Sequence, residues 1–146
     1  MREIPSDSNV AIVSGDFIGF DAEALFTYWT VPACVQEWWP EQATIDLSVG
    51  GNYSFEWPNL GWKLSGTYTS IVPGERLGFT WNWNHEPNTR PRQVDIHFQT
   101  VESGTRMAIF HKEFGQDAVE VADRQGIIEG WIHFGMKLAG LRDGSE

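Results

Sequence analysis

A chain of 146 residues is long enough to bury a core unaided, and with 41% apolar and 14% aromatic residues it is no disordered tail. Twenty acidic against ten basic residues give a net charge of -10, which repels phosphate backbones and anionic lipids and excludes nucleic acid and membranes as partners. A single cysteine, Cys34, excludes an internal disulfide and a cysteine-rich metal site.

The opening Met1–Asp7 lacks the apolar run of a secretion signal, and no stretch approaches the roughly 20 apolar residues of a spanning helix. The expectation is one cytoplasmic domain over residues 1–146, its core at 10–141. Val10–Phe17 mixes β-branched and small residues and predicts a first strand. Asp21 then caps a short helix carrying Ala22, Leu25, Phe26 and Trp29. Val31-Pro32 restarts the chain, and Ala33–Trp38 predicts a second short helix before Pro40, so the pair forms an elbow.

From Thr44 to Lys112 the apolar period becomes two: Ile45, Leu47, Val49; Tyr53, Phe55, Trp57; Leu77, Phe79, Trp81, Trp83; Val94, Ile96, Phe98. Turn chemistry separates these runs at Gly50-Gly51, Pro58–Gly61, Pro73-Gly74 and Glu102–Gly104, where glycine supplies a positive φ. The strands are therefore antiparallel neighbours. Asn84–Pro91 is the one long polar connection and is expected to overhang an end of the sheet.

Beyond Gly115 the period returns to 3.6, with Asp117 as cap and Glu120 three residues on, and continues to about Leu141. Val121, Ile128, Trp131, Ile132, Gly135, Leu138 and Ala139 share one side, flanked by Ile127, Phe134, Met136 and Leu141. Only Glu129, Gly130, His133 and Lys137 form a stripe for water. So wide an arc fits either grip by the sheet or burial in a homodimer. Gly126, Gly130, Gly135 and Gly140 each weaken the helix by about 1 kcal/mol, so close backbone packing or a kink is expected there.

Several segments recur in one order: Pro32 with Trp38-Trp39-Pro40, Val49-Gly50-Gly51 with Tyr53 and Phe55, and Gly66-Thr67-Tyr68. Pro73 with Leu77-Gly78-Phe79-Thr80-Trp81, Gly104-Thr105-Arg106 with His111, and Gly130-Trp131 follow. The ordered set resembles the bacterial activator of Hsp90 ATPase-like family, within the superfamily that includes START domains, Bet v 1 and the polyketide cyclases. Phe20-Asp21 departs from the small residue and proline that many members carry there. The resemblance implies an α+β helix-grip fold: strand, two helices, six strands and a C-terminal helix, with a curved antiparallel seven-stranded sheet around that helix. It also implies a cavity for lipids, steroids, polyketides or other apolar molecules. The chain lacks the separate N-terminal domain of the co-chaperone that names the family, which argues against a chaperone partner.

If the alternating aromatics face the long helix, the inner wall holds Tyr53, Phe55, Trp57, Leu77, Phe79, Trp81, Trp83, Val94, Ile96, Phe98, Met107 and Ile109, and no charge. That many rings exceed what one helix needs to pack against. Ile128 and Trp131 face them from the helix. Trp38 and Trp39 end the elbow, where indoles either touch a ligand or staple the elbow to the sheet. His111 alternates with Met107 and Ile109, so it points inward in a register that a glycine bulge at Gly104 permits, whereas a one-residue slip would send it to solvent.

His111 is the candidate for acid–base work. Tyr53 and Tyr68 offer hydroxyl donors, and Arg124 sits where it can meet a ligand carboxylate. Glu56 and Asp95 have the opposite strand parity and belong outside. His85, His97, His111 and His133 show no metal-ligand spacing, and no glycine-rich phosphate loop occurs, so neither metal nor cofactor is expected. The favoured function is a non-catalytic carrier or sensor of a small apolar or aromatic ligand, in a stress-related setting by resemblance. The alternatives are a cyclase- or dehydratase-like enzyme on a polyketide or aromatic substrate, and a co-chaperone-like interaction module.

Overall fold

Asp21 opens the first helix as its position predicts: its carboxylate accepts the Ala24 N–H at 2.7 Å, and helix α1 spans Ala22–Thr30. Helix α2, Pro32–Val35, is shorter than expected, because the Trp38 and Trp39 N–H groups both turn back to the Val35 carbonyl. The computed structural model describes residues 1–86 and 90–143, so part of the polar connection at 84–91 lies outside the described residues.

The strands are β1 Arg2–Ile4, β2 Val10–Ile18, β3 Gln42–Ile45, β4 Asn52–Trp57, β5 Trp62–Val72, β6 Arg76–Trp83, β7 Arg92–Val101 and β8 Gly104–Lys112. They form one antiparallel sheet in the order β1-β2-β8-β7-β6-β5-β4-β3. Among the described residues the sheet has eight strands where seven were expected, because Arg2–Ile4 pairs with Ile12–Ser14 of β2. A register shift between Tyr68 and Ser70 interrupts the β5–β6 ladder, the kind of irregularity that bends a strand.

Alternation buries the predicted wall, from Tyr53 at 2% exposure to Ile96 at 0%, save for Trp83, which is half-buried. It fails at Leu47 and Val49, both exposed. There the chain has left β3 for a turn in which Ser48 N–H bonds to Asp46 O and Gly50 takes φ 87°. The β7–β8 register runs unbroken from Val101↔Gly104 to Val94↔His111, with no bulge at Gly104. That glycine has no positive φ; it permits close approach, since a Cβ would lie 2.1 Å from the Phe17 carbonyl oxygen.

Helix α3, Ala118–Asp143, starts on Asp117, whose carboxylate accepts the Glu120 N–H at 2.9 Å. It buries Ile128, Trp131 and Leu138 against the concave face and lies closest to β2. Val121 and Met136, placed on or beside the apolar arc by the sequence pattern, are 52% and 67% exposed. The expected tight packing at helical glycines occurs at Gly135, against Met1, whereas Gly126, Gly130 and Gly140 have open space where a Cβ would stand.

Candidate functional site

The inward face of the sheet divides into two halves of different density. In one, Tyr53, Phe55, Tyr68 and Phe79 meet Trp29 and Leu77 and leave no room for a water molecule. Phe98, Ile96, Met107 and Ile109 are likewise buried core. In the other, a cavity of about 370 Å³ lies between α3 and the ends of β4, β5 and β6.

Its wall is Trp39, Trp57, Leu60, Trp62, Trp81, Trp83, Gly126, Ile127, Gly130, Trp131 and Phe134. Six of the chain's eight tryptophans are on that wall, and none of the described residues lining it is charged. Strand pairing explains the grouping: Trp57 faces Trp62 across the β4–β5 hairpin, and Trp81 and Trp83 alternate along β6. Trp39 stacks on Trp81 at 5.8 Å and meets Trp131 at 5.1 Å, so the elbow supplies one deep wall and the helix another. Leu60 and Trp62, 57% and 42% exposed, form the rim. Gly61 in the left-handed region closes their turn, and Asn84 ties it down through Lys63 N–H and Gly61 O. Gly126 and Gly130 stand one helical turn apart, opening the helix side of the cavity.

Five of the expected ligand-binding residues therefore reach the cavity: Trp39, Trp57, Trp81, Trp83 and Trp131. Trp38 does not, since its indole N–H bonds to the Tyr28 carbonyl at 2.8 Å and staples the elbow. Tyr53 spends its hydroxyl on the Thr80 carbonyl, and burial pushes the pKa values of Tyr53 and Tyr68 up. Arg124 does not line the cavity; it donates to Val10 O at 2.9 Å and Ser6 Oγ at 3.0 Å, pinning the N-terminal segment. Ile128 is 1% exposed in the core, away from the cavity wall.

His111 points inward with 0% exposure, behind the lining indoles. Trp131 Nε1–H donates to its Nδ1 at 3.1 Å, and the Trp81 ring meets it edge-on at 4.6 Å. Burial first, and the Arg92 charge second, lower its pKa to about 3, so the imidazole is neutral. Arg92 itself corrects the expectation of an uncharged wall. It shares the parity of Val94 and Ile96, is 3% exposed, and pairs with Glu120 and with Asp123 at 3.3 Å. Phe114 lies 4.5 Å from its guanidinium.

Sequence reasoning missed Leu60, Trp62, Gly126, Ile127, Gly130 and Phe134. Trp62 had a signal, because it shares strand parity with the buried Leu64 and Tyr68. Gly126, Gly130 and Phe134 had another, an i, i+4, i+8 stripe in which two members lack side chains. Among the described residues no group of three or more His, Cys, Asp or Glu is placed to hold a metal ion, and no helix is long and apolar enough to cross a membrane.

The family model described as Activator of Hsp90 ATPase homolog 1-like protein matches residues 20–142. Among solved structures, a Mesorhizobium loti protein is 22% identical, with 94% of this chain and 98% of that chain covered and a TM-score of 0.82. A Rhodobacter sphaeroides protein is 17% identical, covering 99% of each chain with a TM-score of 0.82. The Aha1 dimer from Colwellia psychrerythraea, solved in solution, is 16% identical over 89% of this chain and 92% of that one, with a TM-score of 0.75. At such identities the likeness is one of fold. No curated protein matches the chain in sequence.

Proposed function

The chain belongs to the Activator of Hsp90 ATPase homolog 1-like family, and from that premise we propose that it is a cytoplasmic, non-catalytic carrier or sensor of a small apolar ring compound. The observation that carries this reading is the cavity of about 370 Å³ with six indoles and, among the described residues, no charge on its wall. A packed core has no use for such a space: the cavity leaves ring faces without dispersion partners, which a flat ligand would supply. Burying ~300 Å² of ligand gains roughly 7 kcal/mol at about 25 cal/mol/Å², and after the cost of association micromolar binding is the expected range. The open helix side supports the same reading, because Gly126 and Gly130 give up helix propensity where the cavity gains volume.

Indane, a compact two-ring hydrocarbon, is a suitable probe. It is expected to quench tryptophan emission saturably and to bind in the micromolar range by calorimetry. Gly130→Leu places a side chain in the cavity and is expected to abolish both signals while leaving the fold intact. Binding undiminished in Gly130→Leu would count against this site. Native mass spectrometry of freshly purified protein reads retained ligand without a chosen probe. It also reads assembly, for which the dimer described for the Colwellia relative and the exposed Val121 and Met136 favour a two-chain species.

A further inference from the structure

Three buried polar atoms, the first of them on the cavity-lining Trp81, have no hydrogen-bond partner among the described residues: Trp81 Nε1, Arg92 Nε and His111 Nε2. Strand register collects them. Trp81 on β6 pairs with Arg92 on β7, and His111 on β8 pairs with Val94, two residues along β7 and on the same face. The Trp81 and His111 rings are 4.6 Å apart, and Phe114 touches both Arg92 and His111, at 4.5 and 5.4 Å.

All three atoms are donors. The Trp81 indole and the arginine Nε carry hydrogens by constitution. For His111 the tautomer follows from its neighbour: Nδ1 accepts the Trp131 N–H at 3.1 Å, so the single proton of the neutral ring sits on Nε2. The low pKa of about 3, set by burial and then by Arg92, keeps that ring neutral at physiological pH. A cluster of buried donors with no acceptor is complementary to an oxygen atom that brings lone pairs, and leaving such donors unmade is costly.

Charge selects the kind of oxygen. Arg92 is already answered by two carboxylates, Glu120 and Asp123. A ligand carboxylate or phosphate would add a third negative group beside them in a poorly hydrated place, whereas a carbonyl adds no charge. We propose that the cavity recognises an uncharged ring compound bearing a carbonyl group, its rings among the indoles and its oxygen received by Trp81 Nε1–H, with His111 Nε2–H behind it. This rests on the ligand-binding reading above and adds to it the chemical class of the ligand.

The test compares indane with 1-indanone, which differ by a methylene against a carbonyl. The ketone is the better hydrated, so without a donor in the site it binds more weakly than the hydrocarbon. The expected result is that 1-indanone binds at least as tightly as indane. The ratio should fall about tenfold in Trp81→Phe, which keeps a ring and removes the N–H. Infrared spectra of the bound ketone supply a second readout that needs no variant: its C=O stretch is expected below its frequency in hexane. Indane-1-carboxylate is expected to bind more weakly than the ketone. Indane binding with the ketone markedly weaker, or a hexane-like C=O frequency, overturns this inference and leaves the cavity reading standing. Preference for the carboxylate overturns the uncharged class, and failure of every probe to bind overturns both readings.

Discussion

His111 links the site to pH through a proton it declines to take. Its pKa falls from an ordinary 6.5 to about 3 because burial, and then Arg92, disfavour the imidazolium. Between those values the unfolded chain binds a proton that the folded chain does not. This contribution to stability is therefore complete above pH 6.5 and declines as the pH falls toward 3, by up to about 1.4 kcal/mol per pH unit. His111→Phe is expected to lower stability at pH 7 by about 1–3 kcal/mol, since Trp131 loses its acceptor. Urea midpoints measured from pH 7 to 4 are expected to fall less steeply in the variant than in the parent; parallel slopes would refute the buried neutral ring. His111 was legible because Thr105, Met107 and Ile109 carry the alternation to it. Arg92 was not, although it shares the parity of Val94 and Ile96. A charged residue breaks an apolar pattern, and the carboxylates that accommodate this one lie 28 and 31 residues away on α3.

At the scale of elements, α3 is weakened where it borders the cavity. Among the described residues nothing outside the helix's own backbone and the adjoining residues lies within 4 Å of a Cβ built at Gly126 or Gly130, so Gly126→Ala and Gly130→Ala add helix propensity without a clash. Each is expected to stabilise the protein by about 1 kcal/mol, or roughly 2–4 °C in Tm by calorimetry. Gly135→Ala makes the contrast, because its Cβ would fall 2.4 Å from Met1 Sδ and displace the N-terminal residue; it is expected to gain less or to lose stability. A uniform gain at all three positions would contradict the packing described. The helix was legible from its 3.6 period and from Asp117 with Glu120 at its start. Its environment was less so, since periodicity says which residues share a side and nothing about what stands opposite. Gly130 therefore read as part of a solvent stripe. The strand signal had the reverse weakness at β3, where Leu47 and Val49 keep the alternation but Asp46 and Ser48 have already turned the chain.

At the scale of the molecule, the cavity lies where α3 faces the ends of β4, β5 and β6. Helix α3 lies closest to β2 and is tied to β7 through Arg92, and the space facing β4–β6 is lined by long aromatic side chains. The same aromatic alternation thus fills one half with Tyr53, Phe55 and Phe79 and leaves space in the other among Trp57, Trp81 and Trp83. Sequence pattern treats these halves alike, which is why the wall was legible and the cavity's position was not. A ligand seated there touches β4–β6, the elbow and α3 together, a combination absent from the unfolded chain. Binding should therefore stabilise the assembled domain as one unit. With indane at about 100 times its Kd the gain is about 2.7 kcal/mol, a rise of roughly 5–10 °C in a single calorimetric transition. Gly130→Leu is expected to melt in one transition that indane does not move. A ligand-dependent shift confined to an early partial transition would show instead that α3 docks and undocks separately from the sheet.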